Sequence, residues 1–399
     1  MIGTSMKIVI APDSFKESLS AMEVANEIEG GFKSVMPDAE FIKVPVADGG
    51  EGTVQSMVDA TQGEIIELEV TGPLGNRVRA HYGILGVGIP VDDISDNTSH
   101  SRKRTAIIEM ASASGLHHVG AQHRDPEITT SYGTGELICD ALNRGIQRIL
   151  IGLGGSATND GGAGMAQALG IHLLDVNNKV LSVGGAALSR LHSIDLTDRH
   201  PLIEQCEFEV ACDVNNPLCG DTGASSVFGP QKGATPEMVV TLDNALSQYA
   251  DVIVQSGITD RRHSPGAGAA GGMGLGVMAF LNASLRPGID IVMQTVNLAE
   301  KLKGADLVIT GEGRLDSQTL HGKTPMGVTR LANAQNIPVI AIAGCVSDDA
   351  NVLLQHGMKA IFSITPRAMP LEDVLANAKH NLYTSSQNIA ALYAMNLSD

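Results

Sequence analysis

Residues 148–164 read RILIGLGGSATNDGGAG, and the rest of the chain is organised around what this stretch means. Ile149-Leu150-Ile151 is a short branched apolar run, which predicts a buried strand. It breaks into Gly152, Gly154 and Gly155 with Ser156, Thr158, Asn159 and Asp160 between them. After Gly161 and Gly162 the pattern turns helical through Leu169. A strand that turns through glycines into a helix N-terminus directs backbone N–H groups and the positive end of a helix dipole at one point, which suits an anion. Two ligands fit. Gly152 to Ala157 matches G-x-G-x-x-A, and Asp175 closes the next apolar run 21 residues after Gly154, the spacing of a dinucleotide fingerprint. A nucleoside triphosphate or phosphorylated substrate is the other. A purely structural strand-to-helix turn stands beside both.

A chain of 399 residues is long enough for a large core and predicts two domains. Hydrophobic residues at 43% and charged residues at 18% describe a globular enzyme-like chain and exclude a disordered one. No apolar run approaches the roughly 18 residues of a membrane helix. Met1 to Ser5 lead straight into the strand-like Met6 to Ile10 without a basic-then-apolar signal. Five cysteines form no C-x-x-C pair, which fits a reducing compartment, so the cytoplasm is expected. A net charge of −17 and only 3% aromatic residues argue against a nucleic-acid partner.

Strands and helices alternate at both ends of the chain. Lys7 to Ile10 runs into the polar loop Asp13-Ser14-Phe15-Lys16, and Ser20 with Glu23 forms a capping box for a helix to about Val35. A second strand, Phe41 to Val46, ends in Asp48-Gly49-Gly50-Glu51 before a helix to Ala60. Later strands are expected at Asp306 to Thr310, Pro338 to Ala343 and Ala360 to Ile364, with one helix from Leu371 to Asn396. This alternation predicts a parallel doubly wound sheet with ligands at the carboxyl ends of its strands. Between the ends lie strand patterns at Arg77 to Leu85, Thr105 to Ala111 and Phe208 to Cys212. A second G-x-G-x-x-G occurs at Gly266, Gly268 and Gly271.

The Walker spacing is absent, because Ser317 stands five residues before Gly322-Lys323-Thr324. No G-x-S-x-G occurs, and His117-His118 reads as loop surface. What remains is a set of acidic glycine loops, each with a lysine or arginine nearby. Phosphoryl transfer uses this inventory: cations and backbone N–H groups for the phosphates, carboxylates for Mg²⁺ and for the acceptor's proton.

The segments APDSFKESLSA (11–21), PVADGGEGT (45–53), TGPLG (71–75), SYGTGELI (131–138), IGLGGSATNDGGAGMAQALG (151–170), ACDVNNPL (211–218), VFGPQKGA (227–234), PGAGAAGGMG (265–274) and GEGRLDSQTLHGK (311–323) span nearly the whole chain. In order and spacing they resemble the bacterial glycerate kinase family of two α/β domains. The resemblance implies ATP-dependent phosphorylation of glycerate and sits nearest the members that form 2-phosphoglycerate. It implies an α/β fold, a flavodoxin-like (permuted) doubly wound parallel sheet domain with a second α/β domain inserted. The boundaries are 1–72 and 285–399 for the first and 73–284 for the insert, with the active-site cleft expected between them. Residues 88–104 are longer than the family hairpin, and Met1 to Ser5 precede the family's usual start.

Within that frame, Asp160, Asp213, Lys16 and Lys232 are the expected catalytic residues, with Asp160 or Asp213 as general base. Gly154, Gly155, Ser156, Asn159, Glu312 and Lys323 are expected to hold ATP. Ser14, Asp48 and Arg314 are expected on the substrate, and Asp48, Glu51 and Asp213 on Mg²⁺. The partners expected are glycerate and ATP, with no nucleic acid and no membrane; a homodimer stays open. The alternatives are a 3-phosphoglycerate product and an NAD-dependent oxidoreductase built on Asp175.

Overall fold

The structure is a computed structural model that describes residues 6–86 and 103–395. Met1 to Ser5 and most of the long segment 88–104 lie outside the described residues. The chain divides into two compact units, one of residues 1–48, 55–63 and 289–399, the other of residues 49–54 and 64–288.

The first unit holds five parallel strands in the order Ala360–Ser363, Val339–Ala343, Leu307–Gly311, Lys7–Pro12, Glu40–Lys43. Counted along the chain this is 2-1-3-4-5, the flavodoxin-like order, and no permutation is needed to describe it. The strands are apolar along their length because both faces of such a sheet are covered. Ile8, Ile10, Leu307 and Ile309 pack with Val24, Ile28 and Phe32 of the helix Ala21–Lys33 and with Leu382. The capping box is present: Ser20 Oγ accepts from the Glu23 amide at 3.2 Å and the Ser20 amide donates to Glu23 at 3.0 Å. The second strand is shorter than its apolar pattern, yet Val44 and Val46 still donate to the Ile10 and Pro12 carbonyls. The C-terminal helix is two helices, Leu371–Ala376 and Ala378–Met395. They break at Asn377, whose side-chain and backbone amides both donate to the Asp373 carbonyl, at 2.7 and 3.1 Å.

The second unit holds six strands in the order Ser284–Arg286, Glu207–Ala211, Arg148–Gly152, Thr105–Glu109, Arg77–Ile84, Glu64–Thr71. The first four are parallel, and the last two join antiparallel. This corrects the boundaries read from sequence. Residues 64–72 belong here because Glu64–Thr71 pairs along its whole length with Arg77–Ile84, through a turn closed by the Gly72 amide on the Asn76 carbonyl at 2.7 Å. Residues 285–288 belong here because Ser284–Arg286 pairs with the strand Glu207–Ala211.

Three adjacent strands of this sheet carry a charge triad. Glu209 accepts from Arg148 Nε at 2.8 Å and from Arg286 Nη1 at 2.7 Å. Arg148 is 6% and Glu209 5% exposed, so neither charge has water to fall back on. Removing one partner of such a pair strands the other charge, whereas removing both does not. Glu209→Leu is expected to cost about 3–5 kcal/mol of stability by urea unfolding. The double variant Glu209→Leu/Arg148→Met is expected to recover most of that loss; equal midpoints for the two variants would refute the assignment.

Candidate active site

The strand Arg148–Gly152 is buried from end to end and hands the chain to Leu153, Gly154 and Gly155. Gly154 and Gly155 are exposed, and Gly155 takes a φ of +73°, which glycine adopts without strain. A Cβ on Gly152 would lie 2.6 Å from the Gly49 carbonyl oxygen, so only glycine lets the two turns touch. Gly49–Gly50 and Gly152–Gly155 together border a cavity of about 470 Å³ in the second unit, within the range of small-molecule sites.

The remaining wall comes from the neighbouring strands. Arg79 and His81, two residues apart on Arg77–Ile84, share one face. Ser112, His117 and His118 follow the strand Thr105–Glu109. Ser112 Oγ accepts from the His81 amide at 2.8 Å, and His118 Nε2 lies 2.8 Å from the Ser112 carbonyl. Burial, and then His118 beside it, hold the His117 imidazole below its usual range. Glu51 is exposed on the rim. Glu109 accepts from the Val54 amide at 2.8 Å, and burial holds it above the usual carboxylate range despite backbone donors at residues 52–54. His117-His118 is therefore part of the cavity wall and not bare loop surface. Arg79, His81, Ser112 and Glu109 were not singled out from sequence; the alternation of Arg79 and His81 on a strand was the signal available.

Beneath the exposed glycines the loop is closed to solvent. Asp160 is fully buried, with both oxygens engaged by the Ser131 amide and hydroxyl (2.8 Å each) and by the amides of Gly162 and Gly164 (3.2 Å each). Burial raises its pKa. A carboxylate so enclosed anchors the turn. Asn159 is equally buried, its amide on Ser225 Oγ at 2.9 Å. Lys232 is 2% exposed, and its Nζ donates to Ser156 Oγ at 2.8 Å and to the Thr158 carbonyl at 2.7 Å. Burial brings its pKa down to about 7, with Asp160 pulling the other way. Lys232 and Ser156 thus brace the loop from behind. Asp213 remains exposed two residues past Ala211, with Oδ1 accepting from the Gly288 amide at 3.1 Å.

The dinucleotide reading fails on topology. A fingerprint needs its acidic residue at the end of the next parallel strand. Here His172–Leu174 pairs antiparallel with Ser193–Asp195 in a separate two-stranded sheet. Asp175 is spent on a turn, accepting from the Asn177 and Lys179 amides at 2.8 and 3.0 Å. The second glycine pattern leads into Ala269–Phe280, which is kinked at Ala270 to Gly272 by positive φ.

In the first unit, acids gather at the carboxyl ends of adjacent parallel strands. Pro12 and Gly311 are register partners, so Asp13 and Glu312 follow side by side. Asp13 accepts from Thr324 Oγ1 at 2.7 Å and from the Ser14 amide at 2.6 Å. Burial, then repulsion by Asp48, raise Asp13 to about 6. Glu312 accepts from Thr319 Oγ1 at 2.7 Å and faces Lys323 Nζ at 3.6 Å. Burial raises it to about 7, with Asp13 and Asp48 adding and Lys323 opposing. Lys323 also lies 4.0 Å from Asp316. Arg314 is exposed, 3.1 Å from Ser347 Oγ and 3.5 Å from Asp316. Lys16 is exposed in the turn after Asp13. The structure thus brings Ser14, Asp48, Glu312 and Lys323 around Asp13, a residue visible in its loop but given no role from sequence.

The glycerate kinase family model matches residues 8–394. The chain is 53% identical to glycerate kinase of Haemophilus influenzae, over 98% of this chain and 99% of that protein. It is also 53% identical to glycerate 2-kinase of Escherichia coli K12, over 98% and 99%. A crystal structure from Salmonella typhimurium LT2, assigned provisionally as glycerate kinase 2, superposes with a TM-score of 0.89 at 52% identity, covering 99% of this chain and all of that one. At this likeness over the full length, the chain belongs to the glycerate kinase family.

Proposed function

We propose that the chain transfers the γ-phosphoryl group of ATP to D-glycerate, giving ADP and 2-phosphoglycerate. The regiochemistry follows the Escherichia coli relative named glycerate 2-kinase. The observation in the structure that carries a phosphoryl-transfer reading is the pair of carboxylates Asp13 and Glu312 at adjacent parallel strand ends, both raised by burial and by the neighbouring Asp48, with Lys323 beside Glu312.

A divalent cation supplies charge neutralisation on the transferring phosphates in such reactions. The donor set fits one, because Asp13 and Glu312, raised by burial and by neighbouring acids, give up protons more readily when a cation arrives. Among the described residues no three acidic, histidine or cysteine side chains form a ready cage. That suits Mg²⁺, which takes one or two protein carboxylates and fills its shell with phosphate and water. Asp48 and Glu312 would hold it, and Lys323 and Lys16 would meet phosphate oxygens. Asp13, fixed by Thr324 and Ser14, orients the group. Asp213 keeps the general-base role that burial denies Asp160. All five cysteines are free thiols, which supports a reducing, cytoplasmic setting.

Glycerate-dependent ADP release from Mg·ATP, with phosphorus NMR of the product, tests the activity and the hydroxyl together. A 3-phospho product would keep the enzyme and overturn the regiochemistry. The raised acids make a second test. A folded-state pKa above the unfolded value means that the folded chain binds the extra proton, so stability falls as pH rises from about 4.5 to about 7 at Glu312. Glu312→Gln is therefore expected to unfold at higher urea than the parent at pH 8, to match it more closely at pH 4.5, and to lose most Mg·ATP turnover. Lys232 carries the opposite sign. Its folded pKa of about 7 against 10.5 unfolded means that its burial penalty is full below pH 7 and is relieved as pH rises towards 10.5. The parent should gain stability over Lys232→Met between pH 7 and pH 9.5, and the variant's kcat should drop as the loop loses its two braces. Parallel stability–pH curves would remove the buried amine from the account.

A further inference from the structure

We infer that the cavity in the second unit is the seat of the acceptor's carboxylate and that Arg79 is its partner, a specificity residue for a small hydroxy-acid; the inference rests on the reading of glycerate as acceptor. Arg79 is the only lysine or arginine among the residues that line the cavity. Its neighbour Arg77 is occupied, 2.9 Å from Glu136 and bonded to the Glu69 carbonyl. Arg79 is exposed to the cavity and makes no ion pair among the described residues, although Glu69 stands opposite it in the strand register. A guanidinium fork matches one carboxylate in bidentate fashion.

Charge decides between the two anions that a glycine-lined cavity suggests. The lining carries one arginine against two carboxylates, Glu51 and Glu109. The several negative charges of a triphosphate would find no balance there, whereas a monocarboxylate needs one cation. Glu109 is already tied to backbone amides, which leaves Glu51 to accept from a hydroxyl of the acid. Ser112 holds both imidazoles around the same space, its Oγ 3.4 Å from His81 Nδ1 and its carbonyl 2.8 Å from His118 Nε2. The cavity is larger than a three-carbon acid requires, and Gly154 and Gly155 border the remainder.

The test pairs kinetics with binding that needs no turnover, on the full chain, with Arg79→Met and Arg79→Lys beside the parent. Loss of a bidentate charged contact is expected to raise KM for D-glycerate at least about 30-fold in Arg79→Met while KM for ATP stays within about twofold. Arg79→Lys should fall between, because it keeps the charge and loses the fork. Calorimetry of D-glycerate without nucleotide should show binding to the parent and none to Arg79→Met. An unchanged glycerate KM and heat, or a rise confined to the ATP KM, would overturn the assignment. If the parent turns over no glycerate, the functional reading fails, and the calorimetric arm still decides whether the cavity binds the acid through Arg79.

Discussion

Two glycine-rich segments of the second unit lie backbone against backbone, and most of the site's behaviour follows from that. The Gly161 amide donates to the Gly271 carbonyl at 2.9 Å, and a Cβ on Gly271 would collide with the Thr158 carbonyl oxygen. Glycine backbone meets backbone between residues 158–162 and 271–276, so most polar groups at this depth take partners inside the protein. Asp160 has four donors, and Lys232 reaches across to Ser156 and Thr158. Thr158 Oγ1, Asn159 Oδ1 and the Tyr249 hydroxyl remain without a protein partner. A turn packed this tightly from below has little room to move. It presents Gly154 and Gly155 to the cavity on a stiff base.

The two units store charge in opposite ways, with burial as the first cause in both. In the first unit it lifts Asp13 and Glu312 out of the ordinary carboxylate range, and neighbouring acids lift them further. In the second it lowers Lys232 towards neutrality. None of these arrangements favours the folded state at neutral pH by itself. Groups held against their solution preference cluster where binding or chemistry is to be done. The triad Arg148–Glu209–Arg286 is the contrast: its opposite charges satisfy one another within the sheet.

Much of the architecture was legible because it rests on local periodicity. Apolar runs ending in polar loops marked the parallel strands, and Ser20 with Glu23 marked a helix start that the structure keeps. The hairpin Glu64–Thr71 with Arg77–Ile84 was misassigned because pairing is decided by the partner and not by the run itself. Asp175 had the spacing of a ribose ligand, but the strand it closes pairs antiparallel in another sheet. Asp160 and Asn159 looked like a polar loop tip, and the packing of Gly271 against that loop buried both. His117 and His118 carry no spacing signal, and only the fold around Ser112 sets them beside the cavity.

By itself the sequence determined the fold class, the insertion of one α/β unit into another and the family, because strand periodicity and ordered motifs are properties of the chain read locally. It also determined which loops hold acids, glycines and cations. Which of those side chains meet solvent, and which are consumed in bracing the backbone, only the tertiary structure decided. Spacing along a chain says nothing of depth. Depth encloses Lys232 and Asp160 among the loop's own polar groups, and it leaves Arg79, without an ion pair among the described residues, beside a cavity of about 470 Å³.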